Sequence, residues 1–570
     1  MIFILYSAID DRSISDQLGQ PEYSYFFVMR GFQQALTKLG EVHTVTDTGQ
    51  ALETLLASFR ERGIALEKVL LLSFSPPHKA PVDLPCPTMT VLAWEFDTIP
   101  DAPWGGDSRN DWRTVFANHG RAISLSSYST AAIKRAMGDN FNVATIPVPV
   151  WDQFANIRDF LPRNPVQEGA TLQIQGMTVD SAEFDLSNDA LAPVASASGQ
   201  GDAWQGQPIR LSFSYIDPGS TLLSGFYAPE QWGAWSRTST PGVSLPYKVK
   251  GRVVIRLEAI GYGHNVGREV LVCMGSKTAP ITLGDSLQSY SLAFELTEAV
   301  QALRFSELDL SPMAGVEDRR TMAVGLRSID LRADEKGKGD TAEVVDPADL
   351  AQIKLDGVVY TSVFNPSDGR KNWEDIVTAF VWALRDQDDA TLVLKMSNKD
   401  PASFLSRIYS AFARLAPFKC RILVIQGYLD DYNFQQLIAS TSFYISASHC
   451  EGLCLPLMEY LSSGKPAITP AHTAMADYVD DSVAFTVDAA LENNVWPHDP
   501  REKFQTSCYR INWESLLNAC NESYRVARED PERYRQMSDN AIERMREYSS
   551  IDSVRDRLRD FLPESLDVKT

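Results

Sequence analysis

The chain is short of the features that usually announce a role. It has only seven cysteines in 570 residues, an odd number without regular spacing, which excludes a disulfide framework. Cys450 and Cys454 have three residues between them but no second pair to complete a zinc site, so they are expected to be small loop residues of a reduced, cytoplasmic protein. Basic residues are few, 53 against 74 acidic ones, and the net charge of −21 excludes nucleic acid as a partner, because phosphate backbones select basic surfaces. The same balance excludes broad adhesion to anionic lipid and leaves room only for a local peripheral contact at the inner face of a membrane. No apolar run reaches membrane-spanning length. Met1-Ile2-Phe3-Ile4-Leu5-Tyr6 lacks the basic flank and cleavage site of a signal peptide and reads as a first strand. Glycine is also sparse where a phosphate loop would need it: only Gly19 precedes Gly31.

What is present is ample core material, 44% hydrophobic residues, in a chain too long for a single core. Residues 1–160 alternate strand-like runs (Ile2 to Tyr6, Val69 to Phe74, Thr88 to Trp94, Ala122 to Leu125, Val143 to Ile146) with helical ones (Tyr25 to Leu39, Ala51 to Arg62, Ser129 to Met137). That alternation predicts a parallel sheet with helices on both faces. Residues 345–530 repeat it, and 531–570 read as a charged helical segment that crosses back to the first domain. Between the halves, 165–340, the period becomes two: Val253, Ile255, Leu257 and Ala259 alternate with Arg252, Val254, Arg256 and Glu258. An inserted antiparallel β-sandwich is expected, with loop at 195–207 and linker at 332–345.

The densest stretch is 446–479. Phe443 to Ser446 reads as the end of a buried strand, Gly452 permits a tight turn, and Pro456 suits a first helical turn. The N–H groups of Leu453, Cys454 and Leu455 would then face outward above the sheet, a seat for phosphate. Glu451 and Glu459 flank the turn, so both can reach one ligand, and together they suit the hydroxyls of a sugar nucleotide. The alternative is a solvated helix start bearing surface glutamates.

Glu451, Gly452, Leu455, Pro456, Glu459, Gly464, Pro466 and Ile468 together resemble the donor-site signature of retaining glycosyltransferases of the family-4 type. A second block, Asn365-Pro366-Ser367-Asp368-Gly369-Arg370-Lys371-Asn372-Trp373 between a strand-like run and an amphipathic helix, is similar to the turn that opens the C-terminal domain of such enzymes. The resemblance implies the GT-B arrangement of two Rossmann-like domains facing a cleft. It also implies transfer of a hexose from a nucleoside diphosphate sugar to a glycan or lipid-linked acceptor, with retention. In that reading Lys371 holds the diphosphate, Glu451 the sugar and Glu459 the ribose, and no metal or other cofactor is called for. Many relatives carry an arginine where this chain has Asn365, so Arg370 either supplies that charge or is a solvated helix-start residue. Glu95, in Val91-Leu92-Ala93-Trp94-Glu95-Phe96-Asp97, stands where a histidine is common, and reads either as the acceptor-side carboxylate or as a buried hydrogen-bonding group.

Some features stay open. Tyr227, Trp232 and Trp235 form an aromatic cluster within the insert that could stack on sugar rings or fill its core. Glu317-Asp318-Arg319-Arg320 reads as a salt-bridged turn. His449 and His472 lie beside the donor motifs and either touch a nucleotide or pack. An epimerase or phosphorylase of the same fold, and a glycan-binding scaffold, are the competing functions; the oligomeric state is not legible.

Overall fold

A computed structural model describes residues 1–11, 13–20, 22–160, 163–174, 177–185, 192–193, 209–214, 222–227, 229–230, 232–312, 320–333, 351–398, 402–497, 499 and 501–562. The 195–207 loop, nearly all of the 332–345 linker and Glu317 to Arg319 lie outside the described residues. The chain forms two compact units, one of Met1–Asp180, Pro347–Pro401 and Phe418–Thr570, the other of Ser181–Asp346 and Ala402–Pro417.

The first unit contains two parallel sheets. One runs in the order Glu41–Val45, Ile2–Tyr6, Val69–Phe74, Thr88–Leu92, Arg121–Ser124, Asn142–Thr145. Val69–Phe74 is buried at every residue, as a central strand covered on both faces must be. Its helices start where the sequence can cap them: Asp111 and Ser126 accept the N–H groups of Arg113 and Ser129.

The second sheet runs Ala484–Thr486, Ala467–Thr469, Phe443–Ile445, Ala351–Phe364, Ala390–Met396, Arg421–Gln426, and ends on an antiparallel edge strand, Met177–Asp180. Gln167–Ile174 pairs antiparallel with the first half of Ala351–Phe364. These two strands fall inside the 165–340 stretch yet are hydrogen-bonded to the second parallel sheet, and Arg421 clamps the edge by pairing with Asp180. In this sheet the chain enters at the middle, builds outward to Arg421–Gln426, then returns to the other side with Phe443–Ile445. The loops after Ala351–Phe364 and Phe443–Ile445 therefore diverge at a topological switch point, where open α/β sheets leave a crevice for ligands.

The closing helices Pro531–Ser549 and Ile551–Phe561 return to the first sheet. Val150 N–H donates to Ser549 O, Trp151 Nε1 to Ile542 O and Ile551 N–H to Asp152. A hairpin, Ala489–Val495 with Gln505–Ile511, stands beside the second sheet.

The second unit is a curled antiparallel sheet. The strands Gly242–Gly261 and Gln288–Ser306 form its spine, with Val324–Ala333, Ile209–Ser212, Glu269–Met274 and Lys277–Thr282 outside them. The alternation read from sequence is its inside and outside: Val253, Ile255, Leu257 and Ala259 are fully buried in one core with Leu303, Phe305 and Leu326. Trp232 and Trp235 pack edge to face, centroids 5.0 Å apart, and Tyr262 lies 5.6 Å from Trp235. Both tryptophans press on Gly325, so part of each ring is packed and part exposed. Glu230 accepts from Trp232 Nε1 and pairs with Arg320, whose guanidinium lies over the Tyr227 ring.

Candidate functional site

The two switch-point loops bring Arg370, Lys371 and Glu451 together. After Ala351–Phe364 the chain makes a turn, Gly369–Lys371, and Asn372 adopts a left-handed conformation that swings it into the helix Trp373–Leu384. After Phe443–Ile445 comes Ser446 to Cys454, where Cys454 is again left-handed (φ 60°), and the helix Leu455–Ser462 begins with Pro456 in its first turn. Both loops thus end in sharp reversals that aim their side chains at a common point.

At that point lies the Glu451 carboxylate, 4% exposed, with Lys371 Nζ 2.5 Å from Oε1 and Arg370 Nη1 3.0 Å from Oε2. Ser448 Oγ also donates to Oε1, at 2.7 Å. Burial alone would raise this carboxyl, but Lys371, then Arg370, and the hydrogen bonds from Lys371 and Ser448 overcome it and hold the group at about 2. Arg370 also pairs with Asp368 at 3.0 Å and Glu95 at 3.4 Å, and donates to Cys450 O. Burial works against its charge, yet Glu451, Glu95 and Asp368 more than compensate and keep the guanidinium protonated.

Glu95 therefore reaches the same cluster from the first sheet. The two sheets touch here: a Cβ on Gly452 would come 2.7 Å from Trp94 N. The ring of Trp94 turns away into an aromatic group with Phe96, Trp112 and Trp496, and its Nε1 donates to Thr98 O. The hairpin ties on from the side, since Thr506 Oγ1 and Ser507 N–H both donate to Asp97.

The N–H groups of Leu453 and Cys454 donate to no described residue, while Leu453 O accepts from Tyr478 Oη at 2.7 Å. The turn is thus anchored through its carbonyl, and its donors stay available at the helix start. Glu459 stands apart from the Glu451 cluster. Burial first, and then repulsion from Asp431, push its carboxyl up to about 8 against the opposing pull of Lys395. Lys395 is itself buried at the end of Ala390–Met396, donates to Ser397 Oγ, and is drawn down to about 8 by burial. Asn365, the departure noted above, donates to Gly19 O of the first sheet's leading loop.

Of the residues singled out from sequence, Glu95, Arg370, Lys371, Glu451, Gly452, Leu453, Cys454 and Leu455 gather at one place, with Glu459 on the same helix. Tyr227, Trp232 and Trp235 belong to the other unit. Sequence reading passed over Ser448, Asp368, Thr473, Lys395 and Tyr509. Ser448 had a signal, three residues before Glu451; Tyr509 had none, because a hairpin brings it in. Among the described residues no group of His, Cys, Asp or Glu is arranged to hold a metal ion, and no helix is long and apolar enough to cross a membrane.

A family model described as a domain of unknown function (DUF7024) matches residues 200–333, within the antiparallel insert. No curated protein matches the chain. Among solved structures, HepE of Anabaena in complex with UDP and glucose is similar at 13% identity, over 35% of this chain and 47% of that one, with a TM-score of 0.27. The pneumococcal O-GlcNAc transferase GtfA in complex with UDP and GlcNAc is similar at 15% identity, over 35% of this chain and 34% of that one, TM-score 0.25. The C-terminal domain of a group 1 glycosyl transferase, LpcC of Francisella tularensis, is similar at 17% identity, over 34% of this chain and 88% of that one, TM-score 0.25. Against the first two of these the chain spans less than half of their length. The likeness to nucleotide-sugar glycosyltransferases is distant and structural.

Proposed function

We propose that this chain is a retaining glycosyltransferase that moves a hexose from a nucleoside diphosphate sugar to a glycan or lipid-linked acceptor. The observation that carries the reading is the pairing of Lys371 and Arg370 with the buried Glu451 at a switch point, beside the N–H groups of Leu453 and Cys454, which donate to no described residue. Two cations, a carboxylate and helix-start donors are the groups that a sugar diphosphate needs, and here they neutralise one another until it arrives. The family resemblance of the two motif blocks points the same way.

In this reading Lys371 leaves Glu451 for the diphosphate, joined by the N–H groups of Leu453 to Leu455. Glu451, relieved of one cation, accepts sugar hydroxyls, and Glu459 takes the ribose. The bond from the anomeric carbon to the diphosphate oxygen breaks, its electron pair going to that oxygen. A cation there opposes the charge as it develops. The acceptor oxygen then bonds to the anomeric carbon, and its proton passes to the Glu95 carboxylate, which Arg370 holds beside the cluster. Retention rests on the family resemblance alone. Residues 1–160 would serve the acceptor and 345–530 the donor, with 531–570 tying them together. Tyr227, Trp232 and Trp235 would offer the insert a contact with a longer glycan, and a lipid-linked acceptor would bring the chain to the inner face of a membrane as a peripheral protein.

The test is a panel of UDP-, GDP- and ADP-sugars assayed for binding and slow hydrolysis by the wild type and by Lys371→Ala. One donor should turn over, and the folded variant should be slower by about a hundredfold, the usual loss of one transition-state charge contact. Wild-type rates in a folded Lys371→Ala protein would refute the assignment.

A further inference from the structure

His472 is a buried residue that neither the core nor the ion-pair cluster accounts for. It follows the strand Ala467–Thr469 and leads into the turn Thr473–Asp477. Its ring lies flat on Tyr509 of the hairpin, centroids 4.2 Å apart and planes 8° from parallel. The residue is 7% exposed, and its Nε2 is sealed from solvent with no hydrogen-bond partner among the described residues. An orphaned buried polar atom is costly and uncommon in native proteins, and one on the segment that anchors Glu451 points to a missing ligand.

The surroundings say which kind of group is missing. Thr473 has one hydroxyl proton, and it goes to His472 O at 2.8 Å. The same Oγ1 accepts the Glu451 N–H at 3.0 Å. With its proton committed, Oγ1 can meet His472 Nδ1, 3.4 Å away, only as an acceptor, so the imidazole proton sits on Nδ1. Burial draws the ring down to about 4 in spite of the opposing pull of Glu451, so at neutral pH it carries no second proton. Nε2 is then a bare lone pair, and its absent partner is a hydrogen-bond donor.

The location narrows the donor further. Glu451 is fastened to this segment twice, through its own N–H to Thr473 and through its carbonyl, which accepts from Ala474 N–H at 3.2 Å. A lone pair beside a carboxylate repels phosphate oxygens and welcomes a hydroxyl. We propose that His472 Nε2 accepts a hydrogen bond from one hydroxyl of the transferred sugar, which makes His472 a specificity-determining residue of the site. The inference rests on the glycosyltransferase reading above. Tyr509 is the positioning residue that keeps the ring flat.

His472→Phe preserves a flat ring for Tyr509 and removes both ring nitrogens, the Nε2 lone pair together with the Nδ1 proton that faces Thr473. The wild type and this variant are titrated calorimetrically with UDP, GDP, UDP-glucose, UDP-galactose, UDP-N-acetylglucosamine and GDP-mannose. The sugar nucleotide that the wild type prefers should bind about tenfold more weakly to the variant, the worth of one hydrogen bond, while its parent UDP or GDP binds both proteins alike. Discrimination between glucose and galactose, or against the matching deoxy-sugar, should shrink by a similar factor. His472→Asn withdraws the acceptor from that reach and supplies the same comparison if the phenylalanine variant does not fold. Equal weakening of nucleotide and sugar nucleotide would reduce His472 to packing, and unchanged affinity for both would leave Nε2 unengaged; either overturns the inference with the enzyme reading intact. Failure of the wild type to bind any of the six compounds or any ADP-sugar of the wider panel overturns both.

Discussion

Replacing Glu451 by glutamine keeps the shape of the side chain and deletes its charge, and the structure gives the size of the consequence. The carboxyl is held at about 2, against 4.5 for an ordinary glutamate, which corresponds to about 3 kcal/mol of preference for the ionised form in the folded state. At 4% exposure, solvent screening removes little of this. An independent expectation agrees, since removing one partner of a buried ion pair costs about 3–5 kcal/mol by leaving the other charge unpaired. Because the folded carboxyl lies below its unfolded value, the stabilisation is complete above pH 4.5 and disappears as pH falls toward 2. Glu451→Gln should therefore be destabilised by about 3 kcal/mol at neutral pH and should lack most of the wild-type acid transition in that window. The assay is hydrogen exchange of the peptides around Phe443 to Ser462, which reports this region rather than the whole molecule, with urea unfolding alongside. A variant as well protected as the wild type at pH 7, or a gap that persists at pH 2, would show that Lys371 and Arg370 are not held by Glu451 in the way described.

Three further outcomes follow from other contacts. Glu459 is raised to about 8, so its contribution is present below pH 4.5 and lost as pH climbs through 8; Glu459→Gln should flatten that decline in thermal unfolding curves. Gly452→Ala sets a methyl 2.7 Å from Trp94 N, a backbone atom that cannot swing aside, and should cost about 1–3 kcal/mol and lower turnover more than nucleotide affinity, measured by denaturant unfolding and steady-state kinetics. Glu95→Gln should lower turnover while leaving nucleotide affinity close to wild type, since Glu95 reaches the cluster from the first sheet through Arg370; parallel loss of nucleotide affinity in titration would contradict that placement.

The fold was legible where burial writes a strong pattern. Val69–Phe74 is apolar at nearly every position because both faces are covered, and Val253 to Ala259 alternate because only one is. Elements lacking that pattern went unread. Glu41–Val45 is an edge strand with a single fully buried residue, and the hairpin Ala489–Val495 exposes most of its side chains. The strands Gln167–Ile174 and Met177–Asp180 do alternate, but alternation does not say which sheet a strand joins. At the site, the local blocks were readable as spacing: Arg370 beside Lys371, and Glu451 and Glu459 with seven residues between them. The pairing of Arg370 with Glu95 and the stack of Tyr509 on His472 were not, because they depend on how loops far apart in the chain converge.

The return of the closing helices to the first sheet carries a consequence for how the chain is made. Val554, Leu558 and Leu562 share one core with Phe3, Tyr25 and Phe32. At ribosomal speeds of about 5–20 residues per second, the first sheet emerges and then waits on the order of half a minute or more for the segments that complete its core. Throughout that interval the apolar surface destined for Tyr548, Val554 and Leu558 is uncovered, which makes the nascent first half a natural client for chaperones. A stop or frameshift between residues 480 and 531 would strip this cover while leaving both motif blocks in place, and would yield a protein that keeps its chemistry on paper without the helices that complete its first core.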